Sequence, residues 1–172
     1  MSQFSYRDTW AEIELEHISY NLKQFRHYLK TKTKIMAVVK ADGYGHGAEK
    51  AAITAIQAGA NYLAVAFLDE AIELRKVGIK APILILGYTP VRSIREAILE
   101  NITITVFDHE VLDEIIIQAA SLRTEAVIHL KVDTGMSRIG VSSAEQAVRA
   151  CEKDPYLPFC SLGRHLYPFC EC

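Results

Sequence analysis

The chain has 172 residues, a length that suits one domain, with two small ones as the outside alternative. Half of the residues are hydrophobic and 23% are charged, which is enough to bury a core and excludes an intrinsically disordered chain. Nineteen Lys and Arg against 21 Asp and Glu leave a net charge of −2, whereas a dedicated nucleic-acid surface is basic and clustered. No apolar run approaches the roughly 18 residues of a transmembrane helix. The start, Met1 to Asp8, has no basic segment followed by an apolar one, as a secretory leader would. The expectation is a cytoplasmic protein that engages neither membrane nor nucleic acid.

In chain order, Glu16 to Lys30 places Ile18, Leu22, Phe25 and Leu29 at helical spacing. Lys34 to Lys40 follows as a nearly continuous apolar run, suited to a strand buried on both faces of a parallel sheet. A glycine-rich turn, Asp42-Gly43-Tyr44-Gly45-His46-Gly47, leads into a helix ending near Gly59. Tyr62 to Ala66 reads as the second strand, with a helix from Asp69 as N-cap to Gly78 as stop. Pro82 to Leu86 is the third strand, before a helix from about Pro90 to Glu100. Ile102 to Phe107 is the fourth, before a helix from Asp108 to Arg123. Ala126 to Val132 is the fifth, before a helix from Ser143 to about Lys153, opened by an S-x-x-E capping box of Ser142 and Glu145.

Strands alternating with helices predict an α/β fold with a parallel sheet, either doubly wound or a (β/α)8 barrel. Periodicity does not separate the two. The glycine-bearing polar segments after the first and fifth strands favour the barrel, which gathers such loops at one rim.

Two segments carry chemistry. In Ala37-Val38-Val39-Lys40-Ala41-Asp42-Gly43-Tyr44-Gly45-His46-Gly47, Lys40 closes an apolar strand. An amine desolvated there becomes a nucleophile able to form a Schiff base with an aldehyde. Tyr44, set among glycines, could reach a phosphate. The plainer alternative is a solvated strand-end lysine followed by an ordinary turn. In Lys131-Val132-Asp133-Thr134-Gly135-Met136-Ser137-Arg138-Ile139-Gly140, Arg138 can hold a carboxylate bidentately, with Lys131 and Asp133 orienting it. Here the alternative is a charged loop with Arg138 in water. His17, His27, His109 and His129 read as surface or packing residues, and no metal-ligand spacing links them.

Together with Trp10-Ala11-Glu12-Ile13-Glu14-Leu15 and Asn21, these two segments make the chain resemble the N-terminal part of the alanine racemases. These are bacterial enzymes dependent on pyridoxal phosphate (PLP). The resemblance runs from about Thr9 to Tyr156 and implies a PLP-binding (β/α)8 barrel followed by a β-rich C-terminal domain. By motif, Lys40 matches the lysine that binds PLP covalently and moves the α-proton on the D-alanine side. Tyr44 matches the tyrosine on the cofactor phosphate, and Arg138 the arginine on the substrate carboxylate. Lys131 matches a lysine carbamylated in many members, which steadies that arginine. Asp42, His46, Asp133 and Met136 belong to the motifs without an assigned role. The resemblance further implies L- and D-alanine as substrates, a homodimer, a role in peptidoglycan synthesis, and a second base supplied by the partner's C-terminal domain.

The tail departs from this pattern. The family continues into a sixth strand resembling L-E-G-I-Y-T-H-F-A, whereas this chain reads Leu162-Gly163-Arg164-His165-Leu166-Tyr167-Pro168-Phe169-Cys170-Glu171-Cys172. One permitted back-translation of that segment, read after dropping its first base, gives L-E-G-I-Y-T-H-F-A-S. The expectation is therefore residues 1–156 as part of the racemase barrel and 157–172 as an out-of-frame tail after a frameshift near 155–161. On that view the barrel is incomplete, with about five β-α units and no C-terminal β domain, and the chain alone is inactive. Cys160, Cys170 and Cys172 then need no metal or disulfide, and with Cys151 they lack the spacing of a zinc site. Three alternatives are a non-catalytic single-barrel PLP-binding protein, a broad-specificity amino-acid racemase and a PLP-barrel decarboxylase.

Overall fold

The computed structural model describes residues 8–29, 32–143, 145 and the backbone of 160–162. Helix α1 (Leu15–Leu29) begins one residue before the expected span. Its buried seam is narrower than the apolar periodicity suggests. Leu22 is buried among Ala55, Ala58 and Ala60 and Ile18 packs on the main core, but Phe25 stands exposed.

Strand β1 (Met36–Val38) is followed by α2 (Lys40–Tyr44), a single turn, and then by α3 (Ala48–Gln57). Strand β2 (Tyr62–Val65) leads to α4 (Leu68–Lys76), and β3 (Ile83–Ile85) to a 3-10 turn (Val91–Ser93) and α5 (Ile94–Leu99). Strand β4 (Ile102–Val106) leads to α6 (His109–Leu122), and β5 (Ala126–Leu130) closes the expected series. Asp108, from which the helix was expected to run, is the cap of α6, its Oδ1 accepting the Glu110 N–H at 2.7 Å. Asp69 does not cap α4. It lies in the first turn, and the carboxylate of Glu70 accepts the amide of Phe67, the residue at the cap. Gly78 stops that helix with φ +89°.

A short sixth strand, β6 (Cys160–Leu162), pairs parallel to β5 inside the segment expected to be an aberrant tail. Three residues offer no periodicity from which to read it. The helix expected from Ser143, apart from Ser143 and Glu145, and Cys151, His165, Cys170 and Cys172 lie outside the described residues.

The strand order settles which parallel architecture this is. The sheet runs β1-β2-β3-β4-β5-β6 without reversal. A doubly wound sheet reverses order at a switch point and carries helices on both faces. Here, among the described residues, one face carries them: Leu63, Val65, Ile83, Ile85, Ile104, Val106 and Ile128 share a single core with residues of α3 to α6, such as Ala52, Leu74, Ile98 and Ile115. The alternate strand positions Ala64, Leu84, Thr103, Thr105 and His129 are buried outside that core, on the opposite face. Register sets Val38, Ala64, Leu84 and Thr103 side by side in one row across it. Sequential strands with helices on one face are the build of a (β/α)8-type barrel wall.

Candidate functional site

The loops after β1, β2, β3 and β5 leave the same edge of the sheet, the carboxyl ends of its strands, where barrel enzymes place their sites. Lys40 stands two residues past β1, half-buried, and its ammonium lies 5.9 Å from the centroid of the Tyr44 ring. That is cation–π distance.

The turn between them is unusual. Ala41 (φ 52°, ψ 53°), Asp42 (53°, 46°) and Gly43 (61°, 36°) are left-handed in succession, and Tyr44 follows with φ 57°. The Gly45 amide donates to the Ala41 carbonyl at 3.1 Å, which closes one left-handed helical turn. Each non-glycine residue in this region costs about 1–2 kcal/mol, so surrounding contacts must hold the turn in place.

Three contacts do so. Asp42 Oδ1 accepts the Ala48 amide at 2.7 Å, capping α3 from within the turn. His46 Nδ1 lies 2.8 Å from the Gly43 carbonyl. Ala41 donates its amide to Glu70 Oε1 at 2.7 Å. Asp42 and His46, to which the sequence assigned no role, thus fix the loop that carries Lys40.

The second segment is built in the same manner. Val132 and Val141 form a parallel bridge, so the loop 133–140 leaves and returns at one point beyond β5. Inside it, Asp133 Oδ1 accepts the amides of Gly135 and Ser137, and Oδ2 that of Arg138 at 2.8 Å. These bonds, that from Gly135 foremost, hold the Asp133 carboxyl below its ordinary range. Gly140 closes the loop at φ +155°, where a Cβ would stand 2.6 Å from the Asp133 nitrogen. Arg138 and Met136 are exposed on this loop.

Lys131 joins the two segments. Its Nζ donates to the Leu86 carbonyl at 3.2 Å, and its pKa is lowered by burial first, then by the positive charges of Arg138 and Lys40. All four residues singled out from the sequence, Lys40, Tyr44, Lys131 and Arg138, therefore lie at one edge of the sheet. Among the described residues no carboxylate forms an ion pair with Lys40, Lys131 or Arg138. Three cations sharing one rim without acidic partners suit ligands that carry phosphate and carboxylate groups.

The family model for the N-terminal domain of alanine racemase matches residues 13–168. The chain belongs to that family. The match runs past Tyr156, where the resemblance read from the sequence stops. Among curated relatives, alanine racemase 1 of Oceanobacillus iheyensis is 51% identical over 148 residues, 86% of this chain and 39% of its own length. Alanine racemase 2 of the same organism is 53% identical over 148 residues. Among solved structures, the alanine racemase of Clostridium difficile superposes with a TM-score of 0.85 at 40% identity, covering 92% of this chain and 42% of its own. A histidine racemase from Leuconostoc mesenteroides superposes with a TM-score of 0.78 at 35% identity, covering 85% of this chain and 39% of its own. The chain thus spans about two fifths of the length of the relatives it matches. No described helix is long and apolar enough to cross a membrane.

Proposed function

We propose that this chain is the cofactor-binding part of a bacterial alanine racemase, a cytoplasmic PLP-dependent homodimer that interconverts L- and D-alanine for peptidoglycan synthesis. The observation that carries the reading is the electrostatic grouping of Lys40, Lys131 and Arg138, with Tyr44 over Lys40, at the carboxyl edge of the sheet. The donor set fits PLP: Lys40 offers an amine to its aldehyde and Tyr44 a hydroxyl to its phosphate. When bound, PLP supplies the electron sink that makes the α-proton of an amino acid acidic. Arg138 binds and orients the substrate carboxylate, and Lys131 steadies Arg138 from the end of β5. Lys40 holds and returns the proton on one face of the substrate carbon. Racemisation needs a base on the other face as well, which we assign to a tyrosine of the partner subunit's C-terminal domain. The 172-residue chain alone is accordingly proposed to be inactive.

The domain reading is likewise a proposal: residues 1–156 as the racemase portion and 157–172 as out-of-frame sequence. Sequencing the gene through the tail tests it, and an intact frame with no family-like sequence in the shifted one ends it.

The functional test is uptake of PLP by the 172-residue chain. An imine absorbance band is expected in the wild type and absent from Lys40→Ala. Equal uptake by the variant would remove Lys40 from the site. The similarity to a histidine racemase supports a second reading, a racemase of another amino acid. Assaying a full-length relative carrying this N-terminal sequence against alanine and histidine separates the two.

A further inference from the structure

We propose that Glu70, at the start of α4, is a positioning residue for Lys40, an inference that rests on the reading of Lys40 as the PLP-binding amine. Its two carboxylate oxygens are divided between two strand ends. Oε1 accepts the Ala41 amide at 2.7 Å, while Oε2 accepts the Ala66 amide at 2.6 Å and the Phe67 amide at 3.2 Å. Ala41 directly follows Lys40, and Ala66 directly follows β2. One side chain therefore ties the peptide leaving β1 to the peptide leaving β2, just beyond the last register pair of Val38 with Ala64.

The tie falls where the backbone needs it. Ala41 is left-handed with φ 52°, and as an alanine it has no preference for that region. Without a fixed acceptor, its amide would be free to swing back as the residue returned to φ below zero. That swing would re-aim the Lys40 side chain, since the two residues share a peptide plane. An ordinary helix-capping glutamate explains only the bond from Phe67. The bonds from Ala41 and Ala66 lie outside α4 and are not required by its cap.

The chemistry demands an ionised carboxylate. Three N–H groups converge on two oxygens, and charge-assisted bonds of this kind are about twice as strong as neutral ones. Glutamine keeps the shape but offers one oxygen and one NH2 group, so it cannot accept at both ends of the tie. Asp69, the neighbouring carboxylate in the same first turn, is exposed and makes no such bond among the described residues. Asp69→Asn therefore removes the same charge from the same helix end without breaking the tie.

The test compares wild type, Glu70→Gln and Asp69→Asn as 172-residue chains. PLP is added at graded concentrations, borohydride traps the adduct, and mass spectrometry reads occupancy at Lys40. Amide exchange of the 40–44 segment is followed in the same samples without PLP. Glu70→Gln is expected to need about tenfold more PLP for equal occupancy and to exchange faster over 40–44, with Asp69→Asn matching wild type in both. Occupancy and exchange unchanged in Glu70→Gln, or changed equally in Asp69→Asn, would overturn the proposal. If wild type takes no PLP at Lys40, the functional reading fails, and the exchange comparison still decides whether Glu70 holds the turn.

Discussion

Lys131 Nζ donates to the backbone carbonyl of Leu86, reaching from the end of β5 past β4 to the end of β3. The amine is partly buried and within electrostatic reach of two other cations: burial first, then Arg138 and Lys40, lowers its pKa. A lysine whose folded pKa lies below its unfolded value disfavours folding while it is charged. The penalty is full below the folded pKa and fades as pH rises to the unfolded value. Stability of the wild type relative to Lys131→Met should therefore rise as pH climbs from neutrality through the lysine range, as read by urea unfolding midpoints. A constant difference across that range would mean that neither burial nor the neighbouring cations perturb Lys131.

Asp133 has the opposite sign. Its folded pKa is depressed, chiefly by the Gly135 amide and then by those of Ser137, Arg138 and Met136. The stabilisation is present above the ordinary carboxylate value of about 4 and is lost as pH falls through the lower folded value. Asp133→Asn should destabilise the chain at neutral pH and by progressively less in acid. Thermal melts of both proteins between neutrality and pH 3 would read the convergence. The same variant should loosen the Arg138 loop, seen as faster amide exchange over residues 133–140.

Glycine at position 43 is required for two reasons, only one of which applies at Gly45. Gly43 has φ +61°, and a Cβ there would lie 3.3 Å from the Cα and nitrogen of Ala48 and 3.4 Å from the Ala51 Cβ. Gly45 has φ +82°, and a Cβ there would meet nothing within 4 Å. Both alanine variants incur the left-handed cost of about 1 kcal/mol, and only Gly43→Ala must also push back α3. Gly43→Ala should thus lower stability by about 2 kcal/mol and Gly45→Ala by about half that, in urea titrations. Equal losses would show that α3 yields without cost.

The parts of this fold legible in the sequence are those that follow from burial of contiguous residues. Ile83-Leu84-Ile85 and Ile102 to Val106 are buried on both faces, and the first as an apolar run, the second as an alternation of β-branched Ile and Thr ending in Val, announced strands. Alternation alone did not choose between a barrel and a doubly wound sheet, because both present it; the glycine-bearing loops after the first and fifth strands and the family resemblance pointed to the barrel, and the strand order agrees. Phe25 misled because helical spacing gives a face but not its width. Lys40, Tyr44, Lys131 and Arg138 stood out because their residue types carry chemistry. Glu70 did not, since one of its partners, the amide of Ala41, lies 29 residues away and is a backbone group that any sequence would offer.

Arg75 yields the most direct test of the wall itself. Its guanidinium donates to four backbone carbonyls: Glu100 through Nε at 2.9 Å, Ile79 and Ala81 through Nη1 at 2.8 Å each, and Asn101 through Nη2 at 2.9 Å. These carbonyls belong to the turn after α4 and the turn after α5, so one side chain stitches together two successive units at the end of the sheet away from Lys40. Burial lowers the Arg75 pKa, and Glu100 opposes that shift. The planar fork is needed because the acceptors lie on two separate turns, which a single ammonium with three donors cannot span. Arg75→Lys should cost about 2 kcal/mol through carbonyls left without partners, while Arg75→Met should cost at least as much. Chemical denaturation checks both. Occupancy of Lys40 by PLP, measured well below the melting temperature, should remain at the wild-type level in Arg75→Lys, since its contacts lie at the opposite end of the strands.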